Sequence, residues 1–527
     1  MSAADYEVAI VGGGPCGLLT ALLLARRGVR CAVFEAKVEP LRLPRAMSIS
    51  RRSAEIFQQL GLRERMLDSH IQPGAYDLAI WAGSLCGEVY GRVAWPEDDP
   101  AIVPYPAYHC PQTTTESVLL EALEAERDAS IFFDHEVTMI EEVTGVVQLD
   151  VRRGRHDQSL SLTARYVVAA DGAGSPARHA LGIDAIGPGD LGHFLNTFFR
   201  APYGAHWKEK RAVLAHILRQ DLFEVFVAVN GDDLWLMHHF LQPDEKPSDY
   251  TPERLAEIVK NASGLPDVPV EVLGVSPWVM SPKVAAQFRK GRVFLTGDAA
   301  ARLSPAGGLG MNTGLQSAHN LAWKLAAVLH GAPESLLDTY DAERRTHVMH
   351  TFENSGRLGA EVWTILEAGF AGDFEKVREL VAGSRRGGSG LGLDFGWNYK
   401  QSSAFDPNSY VPSAERGCRA PHLWLERDGL RLSTIDLFGR GFALLVAGDA
   451  TRWRAVTDPT ATFGGFDVEV FQVDSREGYR DVDGKFPEYY GVQTGDAVLV
   501  RPDGVACWRS ADPAGLAVAI QSILTGG

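Results

Sequence analysis

The chain has 527 residues, of which 45% are hydrophobic and 22% charged. At ~150 residues per domain this allows two to four domains, and it excludes general disorder, a collagen-like repeat and a small disulfide scaffold. A net charge of −16, from 51 basic and 67 acidic side chains, gives no electrostatic reason to seek nucleic acid or an anionic membrane.

The N-terminus opens Met-Ser-Ala-Ala-Asp-Tyr-Glu with no basic segment and enters a strand pattern directly, so a cytoplasmic protein is expected. Tyr6 to Val11 reads as a short apolar strand. Gly12-Gly13-Gly14-Pro15-Cys16-Gly17 follows, then a buried helix from Leu18 to Ala25, then a second strand from Val29 to Phe34 ending at Glu35. Val8 to Ala25 carries no charge, but its four glycines and Pro15 break it, which argues against a membrane span. Strand, glycine turn, helix and strand within ~30 residues form the context in which G-x-G-x-x-G binds a dinucleotide. Gly12 permits the tight turn, Gly14 lets a pyrophosphate approach the backbone, and Gly17 lets the helix pack against the strand. The free N–H groups of the helix N-terminus face the phosphates. Glu35 suits a ribose diol and would repel a 2′-phosphate, which favours FAD or NAD over NADP at this site. The spacing alone does not choose between them.

Farther along, Arg165 to Ala170 is a strand ending in Asp171-Gly172-Ala173-Gly174, followed by Ser175-Pro176-Ala177-Arg178. Arg292 to Thr296 is another, ending in Gly297-Asp298-Ala299-Ala300. It continues through Pro305-Ala306-Gly307-Gly308-Leu309-Gly310-Met311-Asn312-Thr313-Gly314 into a helix from Leu315 to Leu329. With these three motifs in order, residues 5 to about 350 resemble the single-component flavin-dependent aromatic hydroxylases, the group built like p-hydroxybenzoate hydroxylase. The implied fold class is α/β: a Rossmann-like FAD-binding domain (1–75, 105–182 and 282–395) interrupted by a mixed or antiparallel substrate sheet (76–104 and 183–281).

The resemblance also implies site roles. Gly12, Gly14, Gly17, Glu35 and Ala36 would hold the ADP half of FAD, with Val137 placing backbone near the adenine. Arg45 and Gln112 would lie on the flavin side, Arg45 also near the pyrophosphate. Asp171 would serve both FAD and transient NAD(P)H, with Arg178 as a supporting charge, and Asp298 would bind the ribityl chain. Gly310, Met311 and Asn312 would present backbone groups to the isoalloxazine. Three positions depart from the family pattern: Ala301 stands for a usual His, Ser317 for a usual Asp, and Gly174 for a charged residue. They leave the glycine turns and Asp298 untouched and bear on flavin movement and NAD(P)H contact.

The middle segment, 194 to 240, holds nine aromatic residues. Leu222 to Val229 and Leu234 to Phe240 read as strands joined by Asn230-Gly231-Asp232-Asp233, a hairpin signal. Most of these aromatics are assigned to the core rather than to ligand contact. His238 and His239 point to opposite faces of a strand. Either could act as a base on a phenol, but the reading as structural histidines takes precedence and no catalytic residue is assigned.

Gly383 to Gly390 reads as a linker or loop. Beyond it, the strand Phe442 to Ala447 and a closing hairpin around Gly495 to Gly504 resemble a thioredoxin-like domain, 400–527, as several long family members carry. Its role is expected to be structural or oligomerising, and a homodimer is open. Cys16, Cys31, Cys86, Cys110, Cys418 and Cys507 form no C-x-x-C pair, so neither a zinc site nor dithiol chemistry is expected.

The implied activity is an FAD-dependent, NAD(P)H-consuming monooxygenase acting on a phenolic or polycyclic aromatic. Reduced flavin and O₂ would form a C4a-hydroperoxide whose distal oxygen attacks the ring. The alternatives are Baeyer–Villiger insertion or epoxidation on a polyketide-like substrate, a flavin dehydrogenase, and a low-turnover flavin-binding interaction module.

Overall fold

The computed structural model describes residues 4–527 apart from 41–42, 68–70, 72–75, 155–157, 208–210, 385–389, 401–405, 458–461 and 475–476. Most of the expected Gly383–Gly390 loop therefore lies outside the described residues.

Strand β1 (Tyr6–Val11), helix α1 (Pro15–Ala25) and strand β2 (Cys31–Glu35) build the first unit. Nearly every residue of α1 is buried, Thr20 included, as expected of a helix that is apolar all round. Two glycines make the unit close. Gly12 has φ +105°, and a Cβ there would collide with the Ala170 carbonyl. At Gly17 a Cβ would overlap the Gly12 carbonyl oxygen, so only glycine lets α1 lie this close to β1. Parallel to β1 on its other side runs β3 (Gln158–Ala169). Ala129–Phe133 extends the sheet beyond β2, and Val293–Leu295 extends it beyond β3, both in parallel. The Asp171 and Gly297-Asp298 motifs thus end at the same edge as the glycine turn, where ligands of open α/β sheets bind.

Five strands between the second and third motifs, joined by two from between the first and second, form a seven-stranded sheet. It comprises β4 (Gly192–Arg200), β5 (Ala212–Arg219), β6 (Leu222–Ala228), β7 (Leu234–Leu241) and β8 (Glu271–Met280). Asp77–Ala82 and Val89–Val93 complete it, in the order β8-β4-β7-β6-β5-(77–82)-(89–93). All neighbours are antiparallel except β5 with Asp77–Ala82. Asn230 makes the expected β6–β7 hairpin: its side-chain oxygen accepts the N–H groups of Asp232, Asp233 and Leu234 at 2.9–3.1 Å. Alternation sorts the aromatics. Phe199, Tyr203, Trp207, Phe226 and Trp235 enter a core with Leu255 and Val259 of the helix Pro252–Ser263. Phe194, Phe223 and Phe240 face the other way.

Two long helices close the nucleotide domain: α2 (Gly310–Leu329) and the 33-residue α3 (Asp338–Phe370). The N-terminal half of α2 reaches the sheet edge, and α3 runs across to the inserted sheet.

The C-terminal segment forms a four-stranded sheet, β9 (Phe442–Ala447), β10 (Val468–Val473), β11 (Ala497–Val500) and β12 (Ala506–Ser510), then helix α4 (Leu516–Leu524). The order is β10-β9-β11-β12, with β9 and β10 parallel and the rest antiparallel. This β-(helix)-β, hairpin, helix arrangement is thioredoxin-like. Its buried residues form one continuous apolar core with α1 and α2. Two ion clusters also cross this seam. Glu55 receives Arg52 (2.6 Å) and Arg419, and Arg419 also stacks on Phe395. Glu343 receives Lys324 (2.7 Å) and both Arg501 guanidinium nitrogens (2.7 and 2.9 Å), and Arg501 also pairs with Asp503. Among the described residues no helix is long and apolar enough to cross a membrane.

Candidate active site

One cavity of about 1650 Å³ joins the sheet edge to the inserted sheet. That exceeds the ~300–1,000 Å³ usual for one small ligand. Of the residues singled out from sequence, Gly12, Gly14, Glu35, Ala36, Arg45, Gln112, Val137, Asp171, Asp298, Gly310 and Met311 line it. Gly17 and Asn312 do not. Gly17 acts by close packing, as described above. The Asn312 side chain is spent on the scaffold: it accepts Ser50 N–H (2.8 Å) and donates to the carbonyls of Ser48 and Gly308 (3.0 Å each).

The nucleotide end is a cradle of open backbone. A Cβ on Gly14 or on Gly310 would meet no atom within 4 Å, so the main chain stands bare towards the cavity at both places. Glu35 is oriented by two backbone donors, Gly13 N–H at 2.7 Å and Lys37 N–H at 2.9 Å, and retains acceptor capacity. Gln112 opens its helix, donates its side-chain amide to Glu116 (2.7 Å) and its backbone N–H to the Ala46 carbonyl (2.8 Å), and accepts Ala46 N–H on its side-chain oxygen (3.4 Å), which fixes the segment carrying Arg45.

Asp171 has a defined structural task. It accepts Ser175 O–H at 2.6 Å and Ala177 N–H at 2.9 Å, holding Ser175 in the left-handed region at φ +33°. Burial nonetheless raises its carboxyl above the ordinary value. Arg178 is buried beside His179 (3.0 Å) and does not line the cavity. Asp298 stands on the cavity wall, its side chain exposed to the cavity. Burial raises its carboxyl, against the pull of Arg45 and Arg302, and it has no hydrogen bond from a described residue. A cavity-facing carboxylate with no hydrogen bond from a described residue keeps its acceptors free for a ligand rich in hydroxyls. Open glycine backbone, a ribose-ready carboxylate and this acceptor fit FAD.

The other end is aromatic. Phe194 and Trp278 stack at 4.5 Å, and Phe240 meets Trp363 of α3 edge to face at 6.1 Å. Phe352, Leu366 and Phe370 of α3 add to that wall. Between them lies a polar group that sequence reasoning did not assemble: Asn196, His238 and Trp278, from three adjacent strands. His238 Nδ1 and Trp278 Nε1 both lie 2.6 Å from Asn196 Oδ1. His239 points to the opposite face, as the alternation requires, and bonds Glu224 at 2.6 Å against the Tyr250 ring. The α3 wall also went unread, because its apolar residues are spread along a mixed helix. Of the departures from the family pattern, Ser317 accepts a hydrogen bond from the buried Arg344 at 3.1 Å.

Comparison with known proteins agrees with this geometry. Residues 5–355 match the FAD binding domain family, and residues 413–525 match the aromatic-ring hydroxylase C-terminal family. The chain is 33% identical to tetracenomycin A2 monooxygenase-dioxygenase of Streptomyces glaucescens, over 97% of this chain and 94% of that one. It superposes on the flavin-dependent monooxygenase PieE, solved with FAD and substrate, with a TM-score of 0.91 at 27% identity, covering 100% of both chains. It superposes on aklavinone-11 hydroxylase, solved with FAD and aklavinone, with a TM-score of 0.85 at 27% identity and the same coverage. A cradle fitted to FAD, opening onto an aromatic chamber, is thus joined to a family match across most of the chain: this protein belongs to the FAD-dependent aromatic-ring hydroxylases.

Proposed function

We propose that the chain hydroxylates a phenolic, polycyclic aromatic of polyketide type, consuming NAD(P)H and O₂. The observation that carries this reading is the continuity of the cavity, in which the glycine cradle and the aromatic face of the inserted sheet share one space. The names of the relatives point the same way, since tetracenomycin A2 and aklavinone belong to this substrate class.

Gly12, Gly14, Glu35, Ala36 and Val137 would hold the ADP half of FAD, with Gly17 keeping α1 close. Arg45 and Gln112 would flank the pyrophosphate and flavin, Asp171 would line the approach of NAD(P)H, and Asp298 would accept the ribityl hydroxyls. Gly310, Met311 and Asn312 would set the N-terminus of α2 towards the isoalloxazine, where the helix dipole favours negative charge. Bound FAD, once reduced, supplies the oxygen-activating chemistry that no side chain can. The protein's own part is to orient the ring between β4, β7, β8 and α3 and to exclude water there.

The test is direct. Purified protein should show a flavin band, and a phenolic polycycle should stimulate NAD(P)H oxidation with one ¹⁸O atom from ¹⁸O₂ entering the product. Flavin without labelled product across such a panel would overturn the hydroxylase reading.

A further inference from the structure

The Asn196–His238–Trp278 cluster fixes a tautomer. Indole N–H only donates, so the Asn196 atom 2.6 Å from Trp278 Nε1 must be the carbonyl oxygen. The same oxygen lies 2.6 Å from His238 Nδ1 and can only accept, so Nδ1 carries the proton. When the imidazole is neutral, its Nε2 therefore holds a lone pair. His238 is part of the cavity wall, among Phe194, Phe240 and Trp278 and facing the aromatic side of α3. The register makes the arrangement rigid, since Asn196 pairs directly with His238 across β4 and β7, and β8 lies on the other side of β4.

We propose that His238 is the catalytic base of the hydroxylation, its Nε2 accepting the proton of a substrate phenol, with Asn196 and Trp278 as positioning residues. The assignment rests on the reading given under Proposed function. In the resting complex the phenol O–H donates to Nε2. As a ring carbon ortho or para to that hydroxyl bonds the distal atom of the activated O₂, the O–O bond breaks with its electron pair leaving on the other oxygen, which ends as water, while the O–H electron pair moves into the ring and the proton passes to Nε2. The new sp³ carbon then loses its own proton and the ring regains aromaticity. The oxidant is the O₂ activated at reduced flavin, which the family's activity already supplies. Burial lowers His238 to about 4, so the imidazole is neutral and able to accept at neutral pH. A base that weak is sufficient, because a hydroxyl conjugated to an electron-deficient ring is far more acidic than the starting phenol.

Two measurements on the FAD-loaded enzyme test this. With ¹⁵N-labelled histidine, the signal lost in His238→Asn should report protonated Nδ1 and unprotonated Nε2, and Asn196→Leu should move it towards the opposite tautomer. A wild-type Nε2–H tautomer would overturn the assignment without reference to any substrate. The second measurement follows ¹⁸O incorporation per NAD(P)H consumed, with 1,8-dihydroxyanthraquinone and its dimethyl ether as probes. His238→Asn keeps an amide donor near Asn196 and removes the cavity-facing lone pair. It should lower coupling on the phenol by about 10²-fold, leave the KM for NAD(P)H unchanged, and have no further effect on the ether. Labelled product from wild type and His238→Asn alike would overturn the role of His238 alone. No labelled product from wild type would instead count against the hydroxylase reading and take this assignment with it.

Discussion

Helix α2 connects two regions that treat charge in opposite ways. At its N-terminus, Gly310 and Met311 face a cavity where Asp298 has no partner among the described residues. Three turns later, Asn320 and Lys324 enter the seam with the C-terminal sheet, where Asn320 donates to both Glu343 and Asp503 and Lys324 to Glu343. An acceptor left open to a cavity marks a place built for a ligand, whereas buried carboxylates ringed by cations mark a place built to stay shut. The thioredoxin-like segment lacks the cysteine pair of a redox domain, and its visible work is to complete this seam through Arg419, Arg501 and Asp503.

Breaking the seam should have the largest effect. Arg501→Met leaves two buried carboxylates, Glu343 and Asp503, with Lys324 as their one neighbouring cation in the cluster and Asn320 as a shared donor. It should destabilise the fold by ~3–5 kcal/mol, read by denaturant unfolding. A loss below ~1 kcal/mol would mean that water reaches the cluster.

The cradle offers a paired contrast. Gly17→Ala forces a methyl into the Gly12 carbonyl and should destabilise the apoprotein by ~1–3 kcal/mol. Gly14→Ala points into open space and should leave apoprotein stability within ~0.5 kcal/mol while weakening FAD retention, measured by flavin fluorescence. If both variants lose stability equally, Gly14 is a packing residue and not a ligand contact.

Acid should distinguish the regions by sign. Burial alone would raise Glu55 and Glu343, but the cations facing them hold both below the ordinary carboxylate range. Their stabilising contribution is complete above about pH 5 and is lost as pH falls through the lowered folded values. Asp171 and Asp298 are raised instead, so their ionisation opposes folding as pH rises through those values. Unfolding curves between pH 7 and 3 should steepen at the acid end, and Glu55→Gln should flatten that limb. An unchanged acid limb would exclude Glu55 from it.

The smallest effect is expected at Asp298→Asn. Removing the charge of a cavity-facing carboxylate with no hydrogen bond from a described residue should leave apoprotein stability within ~0.5 kcal/mol, while FAD affinity falls. A clear loss of apoprotein stability would show that Asp298 supports the scaffold instead.

Reading the chain alone went far where the physics is local. The first βαβ unit, the β6–β7 hairpin and the long helix after Gly314 follow from periodicity and turn chemistry confined to a few residues. The three glycine-bearing motifs could be joined because each places bare backbone at a strand end, a requirement visible residue by residue. The opposed faces of His238 and His239 follow from the two-residue period of a strand. What could not be read was which distant residues share a space. Asn196, His238 and Trp278 meet only through the register of three strands, and the tautomer that makes His238 a candidate base depends on an indole 40 residues away. Glu55 and Arg419 are 364 residues apart and leave no periodic trace. The sequence by itself therefore determined the cofactor-binding turns and the class of fold, because backbone geometry is set by neighbours along the chain. Only the tertiary structure decided the aromatic chamber, its polar cluster and the ionic seam, because desolvation and charge pairing depend on neighbours in space.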